Sequence, residues 1–332
     1  MKKFLLIGTI AFMGTALLTS CGQAGKKAAP EAEFNYEVDR FEDISVLKYR
    51  LPAFEQLTSG EKEFIYYLSE AALCGRDILW DQNFKYNMLI RKTIEAIIDT
   101  YDGDRESTDY KAFITYAKRV FFANGIHHHY SNDKFVPGFS ADYFAGLVSG
   151  SDAARLPLKE GQTAGDLTAM LTPVLFDPAL YARRVDQSEG ADMITASANN
   201  FYEGVTQAEV EKYYASLADP ADPRPVSWGL NTKVVKADGK VTEIPWKSGG
   251  MYGQAIDKIV YWLEKARDVA LSETQKNELD LLVQYYRSAD LKTWDEYNVV
   301  WAGNTGLSVD YINGFIETYG DPLGMKATWE AV

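Results

Sequence analysis

Glu317 and Tyr319 are the two side chains best placed, by type and spacing, to do chemistry. They lie in Gly314-Phe315-Ile316-Glu317-Thr318-Tyr319-Gly320-Asp321-Pro322-Leu323-Gly324, near the end of a chain of 332 residues. The stretch alternates before it turns. Phe315, Glu317 and Tyr319 are therefore expected on one strand face, with Ile316 and Thr318 on the other. Asp321-Pro322 and Gly324 then end the strand. A carboxylate between two aromatic rings is costly to bury without a partner. Two readings follow: a cleft that receives a cation, or a satisfied core acid or edge-strand Glu facing water. Tyr319 alone is either a cleft hydrogen-bond donor or a core aromatic with a wet hydroxyl.

Two other groups invite a chemical reading. The only histidines are His127, His128 and His129, consecutive in the chain. On a strand, His127 and His129 would face one side with Asp133 near, a possible seat for a transition metal. The run follows a helix and reads as a loop, which favours contact with a ligand backbone over metal binding. Cys74, in Glu70-Ala71-Ala72-Leu73-Cys74-Gly75, reads as a buried structural thiol at a helix end, with no catalytic His or Asn pairing in view. The adjacent aromatic pairs Tyr66-Tyr67, Phe121-Phe122, Tyr213-Tyr214 and Tyr285-Tyr286 each turn one ring inward and one outward on a helix, and do not by themselves indicate glycan binding.

The elements that must position these residues are mostly helical. Thr58 and Glu61 form a capping box before the stripe Phe64, Ile65, Leu68 and Ala72. Leu89, Ile90, Ile94, Ile97 and Ile98 mark a second helix, ending near Tyr101-Asp102-Gly103. Phe113, Tyr116, Val120 and Phe121 mark a third, stopped by Asn124-Gly125. Boxes at Thr206/Glu209 and Ser272/Gln275 open helices to about Leu217 and Arg287, and Ile256, Ile259, Val260 and Leu263 line another between them. Asp238-Gly239 is the strongest hairpin signal, with strands expected over Val226–Val235 and Val241–Ile244. Val46–Tyr49 and Asp310–Tyr319 read as two more strands. The fold class is α+β, predominantly helical, with a small β-barrel or sheet core decorated by helices. No internal repeat is apparent.

Gly-Phe-Ile-Glu-x-Tyr-x-Asp-Pro-x-Gly, followed by Trp329-Glu330, resembles the dipeptidyl peptidase III family of zinc metallopeptidases. Ala71–Asn83 and Asn124–Ser140 are similar to the bacterial branch of that family, and the order of elements agrees from about Phe41 to Val332. The resemblance implies a lower lobe with a small β-barrel core, to which a helical zinc lobe is added later. It also implies roles: Glu317 and Glu330 would bind the substrate α-ammonium, and the hydroxyl of Tyr319 would donate to the scissile carbonyl. Family members carry a helical His-Glu-x-x-x-His motif and a further Glu ligand, and this sequence has neither. The chain is thus expected to be the N-terminal part of a longer enzyme, inactive alone. Zinc would belong to the complete protein, and none would be bound here. The alternative is a non-enzymatic surface lipoprotein that binds peptides or glycans.

Lys2 and Lys3 precede an apolar run, Phe4 to Leu18, too short to span a bilayer comfortably. Leu18-Thr19-Ser20-Cys21 fits a lipobox, so residues 1–20 read as a lipoprotein signal peptide and Cys21 as the lipidated residue. Several acyl chains on one cysteine would give stable anchoring at the bacterial cell envelope. Residues 21–38, rich at their start in Ala, Lys, Gly and Pro, read as a tether, and 39–332 as the lobe itself. Hydrophobic residues make up 46% of the chain and charged ones 24%, the balance of a globular protein. The net charge of −13 becomes −15 when residues 1–20, with two lysines and no acids, are removed. That excess argues against nucleic acid as a partner and suits an oligopeptide amino terminus. The protein is expected to be monomeric.

Overall fold

The structure is a computed structural model that describes residues 34–332, so the signal segment and Cys21 lie outside the described residues. A small unit of its own holds most of a hairpin of β1 (Glu37–Phe41) and β2 (Ile44–Leu47). The second unit carries everything from Arg50 to Val332.

That larger unit opens with α1 (Ser59–Asn83), 25 residues started by the expected capping box: Glu61 N–H donates to Thr58 Oγ1, and Thr58 N–H to Glu61 Oε2. Helix α1 does not end at Cys74 as the sequence suggested, but runs on for nine more residues. Gly75 misled, because mid-helix Gly costs roughly 0.5–1 kcal/mol against Ala. Here it is required, since a Cβ at Gly75 would lie 2.1 Å from Trp329 Cζ2. Cys74 is half-buried, and burial pushes its thiol pKa up.

Helices α2 (Asn87–Thr100), α3 (Thr108–Ala123), α4 (Ala141–Ser149) and α5 (Ala164–Phe176) follow. Ile90, Ile97, Phe113, Val120, Leu147 and Leu171 form their shared core. Asn124 ends α3 in the left-handed region, at φ 53°, as its side chain tolerates. A short helix, α6 (Met193–Ala196), and β3 (Tyr202–Glu203) lead to α7 (Gln207–Ala215), opened by the Thr206/Glu209 box. Strands β4 (Thr232–Ala237) and β5 (Lys240–Pro245) pair antiparallel, and β3 adds parallel to β4. Their turn has φ 51° at Asp238 and 77° at Gly239, the geometry the Asp-Gly pair provides. Residues 226–231 are irregular chain and turn and not strand, with Gly229 at φ 85°.

The last part is α8 (Gly253–Asp268), α9 (Glu273–Ser288), α10 (Leu291–Gly303), β6 (Asn313–Glu317) and β7 (Thr328–Ala331). Phe64, Ile78, Ile256, Leu263, Leu282, Tyr286, Phe315 and Trp329 make a second core that joins α1, α8 and α9 to the final hairpin.

The chain is about 47% helical with small sheets, a mostly helical α+β fold. No closed barrel is present among the described residues; the strands form sheets of two, three and two. One cause is visible at β7. Its edge away from β6 meets α1, where Gln82 Nε2 donates to the Ala327 carbonyl and Gln82 Oε1 accepts from Trp329 N–H. A side-chain amide takes the place a further strand would have. No described helix is long and apolar enough to cross a membrane.

Candidate functional site

Strands β6 and β7 pair antiparallel, with Gly314 opposite Glu330, Phe315 opposite Trp329 and Glu317 opposite Thr328. The register shifts between Phe315 and Glu317, a bulge that breaks period-two alternation. The shared face read from the sequence is therefore corrected. Phe315 is fully buried against Trp246 and Tyr286, whereas Glu317 is exposed and Tyr319 is 71% exposed. Tyr319 is thus no core aromatic, and its hydroxyl is open to a ligand.

The turn after Tyr319 is held from within. Asp321 Oδ2 accepts from the backbone N–H groups of Met325 and Lys326, both at 2.8 Å, and from the Tyr202 hydroxyl at 2.9 Å. Burial pushes the Asp321 carboxyl pKa up while these donors oppose the rise. Beneath it, Lys326 is fully buried, its ammonium donating to Tyr214 Oη, the Gly229 carbonyl and Thr232 Oγ1. Tyr214 and Thr232 in turn donate to Glu243 Oε1.

The structure brings Glu317, Tyr319 and Glu330 within one another's electrostatic reach. Partial burial first, and then the Glu317 charge, raise the pKa of Glu330. Tyr319 is raised by partial burial and by Glu330 and Glu317, with Arg184 acting in the opposite sense. A cation bound beside Glu330 would relieve the cost that burial and the Glu317 charge place on its ionised form. Glu330 also lines a cavity of about 610 Å³ between α1 and β7, with Leu68, Ala72, Arg76, Ile312 and Trp329.

The histidines are placed differently from one another. His127 is buried, its Nε2 is 2.8 Å from the Tyr181 carbonyl, and its ring stands edge-on to Phe84. His128 Nδ1 accepts from the N–H groups of Tyr130 and Ser131, closing the loop tip. His129 lies against the His128 and Phe122 rings. Among the described residues no group of three or more His, Cys, Asp or Glu side chains is placed to hold a metal.

His127 carries a pH prediction. Burial first, then the Arg184 and Lys134 charges, lower its pKa to about 4 against the bond to Tyr181. A base whose folded pKa lies below its unfolded value binds a proton first when unfolded. Its neutral form costs the fold nothing above pH ~6.5, and stability falls as pH drops from ~6.5 toward 4, by up to about 3 kcal/mol. Urea titrations across that range should show His127→Gln losing less stability than the parent chain. Parallel losses in the two would remove His127 from the pH response.

Sequence reasoning missed Arg184, Lys326 and Tyr130. Tyr130 is 83% exposed at the apex of the histidine loop. Nothing in local spacing marked Arg184 and Lys326, because their hydrogen-bond partners lie far along the chain, whereas Tyr130 packs on its neighbours His128 and His129.

Residues 198–332 match Peptidase family M49. Dipeptidyl peptidase 3 of Mus musculus is 24% identical over 309 residues, which cover 84% of this chain and 42% of that protein. The Homo sapiens protein of that name is 23% identical over 314 residues, with the same coverage. The chain thus spans less than half the length of the curated relatives it matches. Among solved structures, DPP III from Caldithrix abyssi superposes with TM-score 0.52 at 19% identity, covering 83% of this chain and 40% of that one. Dipeptidyl-peptidase III from Corallococcus sp. strain EGB gives 0.53 at 18%, covering 90% and 41%. At such identities the superpositions speak for the fold alone.

Proposed function

From the premise that residues 198–332 are a Peptidase family M49 domain, we propose that this chain is the substrate-gripping part of a peptidase that releases dipeptides from the amino end of oligopeptides. Glu317 and Glu330 take the α-ammonium, and Tyr319 donates a hydrogen bond to the scissile carbonyl oxygen as negative charge develops there. The observation that carries the reading is the placing of the exposed Tyr319 just after a bulged hairpin that carries Glu317 on one strand and Glu330 on the other.

Zinc belongs to this reading as the metal of the complete enzyme, where it would activate the attacking water. The described residues do not fit it: His127 is committed to Tyr181 and His128 to the loop backbone. No step is therefore assigned to a metal held by this chain, and the chain alone is expected to bind peptide without cutting it. Cys21, as the lipidated residue, would hold the protein monomeric at the cell envelope; Cys21→Ala should then leave the membrane fraction, and unchanged fractionation would remove the anchor.

Charge-assisted hydrogen bonds contribute roughly 1.5–3 kcal/mol each, so Glu317→Gln and Glu330→Gln should each weaken binding of a free-amino tripeptide at least about tenfold. Isothermal titration of the chain measures this. Unchanged affinity in both variants would refute amine capture and leave a non-enzymatic binding lipoprotein as the better reading.

A further inference from the structure

Arg184 is a buried guanidinium without an anion. It is 8% exposed, and its hydrogen bonds go to neutral acceptors: Nη1 to Asn83 Oδ1 at 2.9 Å, Nε to Asn132 Oδ1 at 3.0 Å, and Nη2 to the His129 carbonyl at 3.3 Å. It forms no ion pair among the described residues. Those bonds use three of the five N–H groups an arginine offers. A buried charge left uncompensated is costly.

The same segment of chain holds two sides of the candidate site. Arg184 N–H donates to the Asn132 carbonyl at 2.8 Å, so its backbone and side chain together clamp the loop from His127 to Asp133. The Arg184 carbonyl accepts from Asn199 N–H, and Asn199 Nδ2 donates to the Gly320 carbonyl at 3.0 Å. Gln187 Nε2 reaches the Pro322 carbonyl at 2.7 Å. The turn that follows Tyr319 and the loop that carries Tyr130 are therefore fixed to one another through residues 184–199.

We propose that Arg184 is the positioning residue of the site: it locks the histidine loop against the Tyr319 end of the hairpin and lends that end positive charge. This rests on the proposed role of Tyr319. A phenol that must donate to a forming oxyanion gains strength from a cation behind it, and a guanidinium, always protonated, supplies one at every working pH. The charged and titratable groups that act electrostatically on Tyr319 are Glu330 on β7, Glu317 on β6, and Arg184 and Tyr130 from the clamped segment and loop. Arg184 alone among them opposes the carboxylates.

The test places 3-fluorotyrosine at position 319 of the full 332-residue chain and titrates its phenol by fluorine NMR. In Arg184→Gln the midpoint should rise by about one pH unit, the size expected for losing one partly screened charge nearby. Arg184→Lys keeps the charge and loses the fork, so its midpoint should stay within about 0.3 unit of the parent while chymotrypsin cuts after Tyr130 at least about tenfold faster. An unmoved midpoint in a folded Arg184→Gln chain overturns the electrostatic role. If that variant fails to fold, Arg184→Lys still decides, since unchanged loop cleavage overturns the clamp. Peptide binding at Glu317 and Glu330 can fail while both shifts appear, so failure of the proposed function is told apart from failure of this inference.

Discussion

Tyr319→Phe in the complete enzyme is expected to lower kcat by roughly 10²–10³ while KM changes little, the cost of losing one oxyanion donor. The expectation follows from exposure and charge. At 71% exposed, the ring has little packing to lose, so the substitution removes a hydroxyl and almost nothing else. Partial burial, and then the charges of Glu330 and Glu317, raise that hydroxyl's pKa, which keeps it protonated and suits a donor. Because the oxyanion exists only after attack on the carbonyl, the loss belongs to the transition state and leaves substrate affinity in place. Steady-state kinetics on the two enzymes measures it. A near-normal kcat would reduce Tyr319 to a wall of the cleft.

The largest stability effect is expected at Lys326, which ties the turn after Tyr319 to β4, β5 and α7. Its burial lowers its pKa to about 8, so it remains mostly charged at neutral pH. Lys326→Ala removes a fully buried side chain together with its hydrogen bonds to Tyr214, Gly229 and Thr232, and the cavity and lost bonds should cost about 3–5 kcal/mol. Lys326→Met, of similar volume, should recover a large part of the loss, because apolar filling of such a site is often close to neutral when no buried charge is stranded. Glu243 keeps 20% side-chain exposure and can be solvated, so it is not stranded. Urea denaturation of the two variants decides: equal losses in Ala and Met would assign the stabilisation to the ammonium and its acceptors alone, whereas no loss in either would mean that the network holds nothing together.

Local signals were readable in the sequence, and long-range ones were not. Thr58 and Thr206 announced helix starts because a capping box is closed within four residues. Asp238-Gly239 announced a turn, and Asn124 a helix stop, for the same reason. Ser272 was half right. It caps α9, but the Gln275 side chain accepts from Leu271 N–H and donates to the Val309 carbonyl, a partner 34 residues away. The Thr163/Asp166 box before α5 was legible and overlooked. The alternation from Phe315 to Tyr319 failed at the bulge, which depends on how β7 pairs and cannot be seen in β6 alone. Gly75 resembled a helix end because its reason for being glycine, the Trp329 indole, lies more than 250 residues further on. Arg184 and Lys326 carried no local signal, because the acceptors around them come from distant parts of the chain. The triad of Glu317, Tyr319 and Glu330 was found through a resemblance, and its grouping through the fold.

Amine capture at Glu317 and Glu330 is tested most directly by calorimetric titration of one tripeptide in two forms, with its α-amine free and with that amine acetylated. Acetylation removes the charge and leaves every side chain and peptide group of the ligand intact. If the two carboxylates grip the ammonium, the free form should bind at least about a hundredfold more tightly at pH 7, two charge-assisted contacts being lost together. Equal affinity for the two forms would contradict the account, because a cleft indifferent to the amino terminus cannot set a dipeptide register.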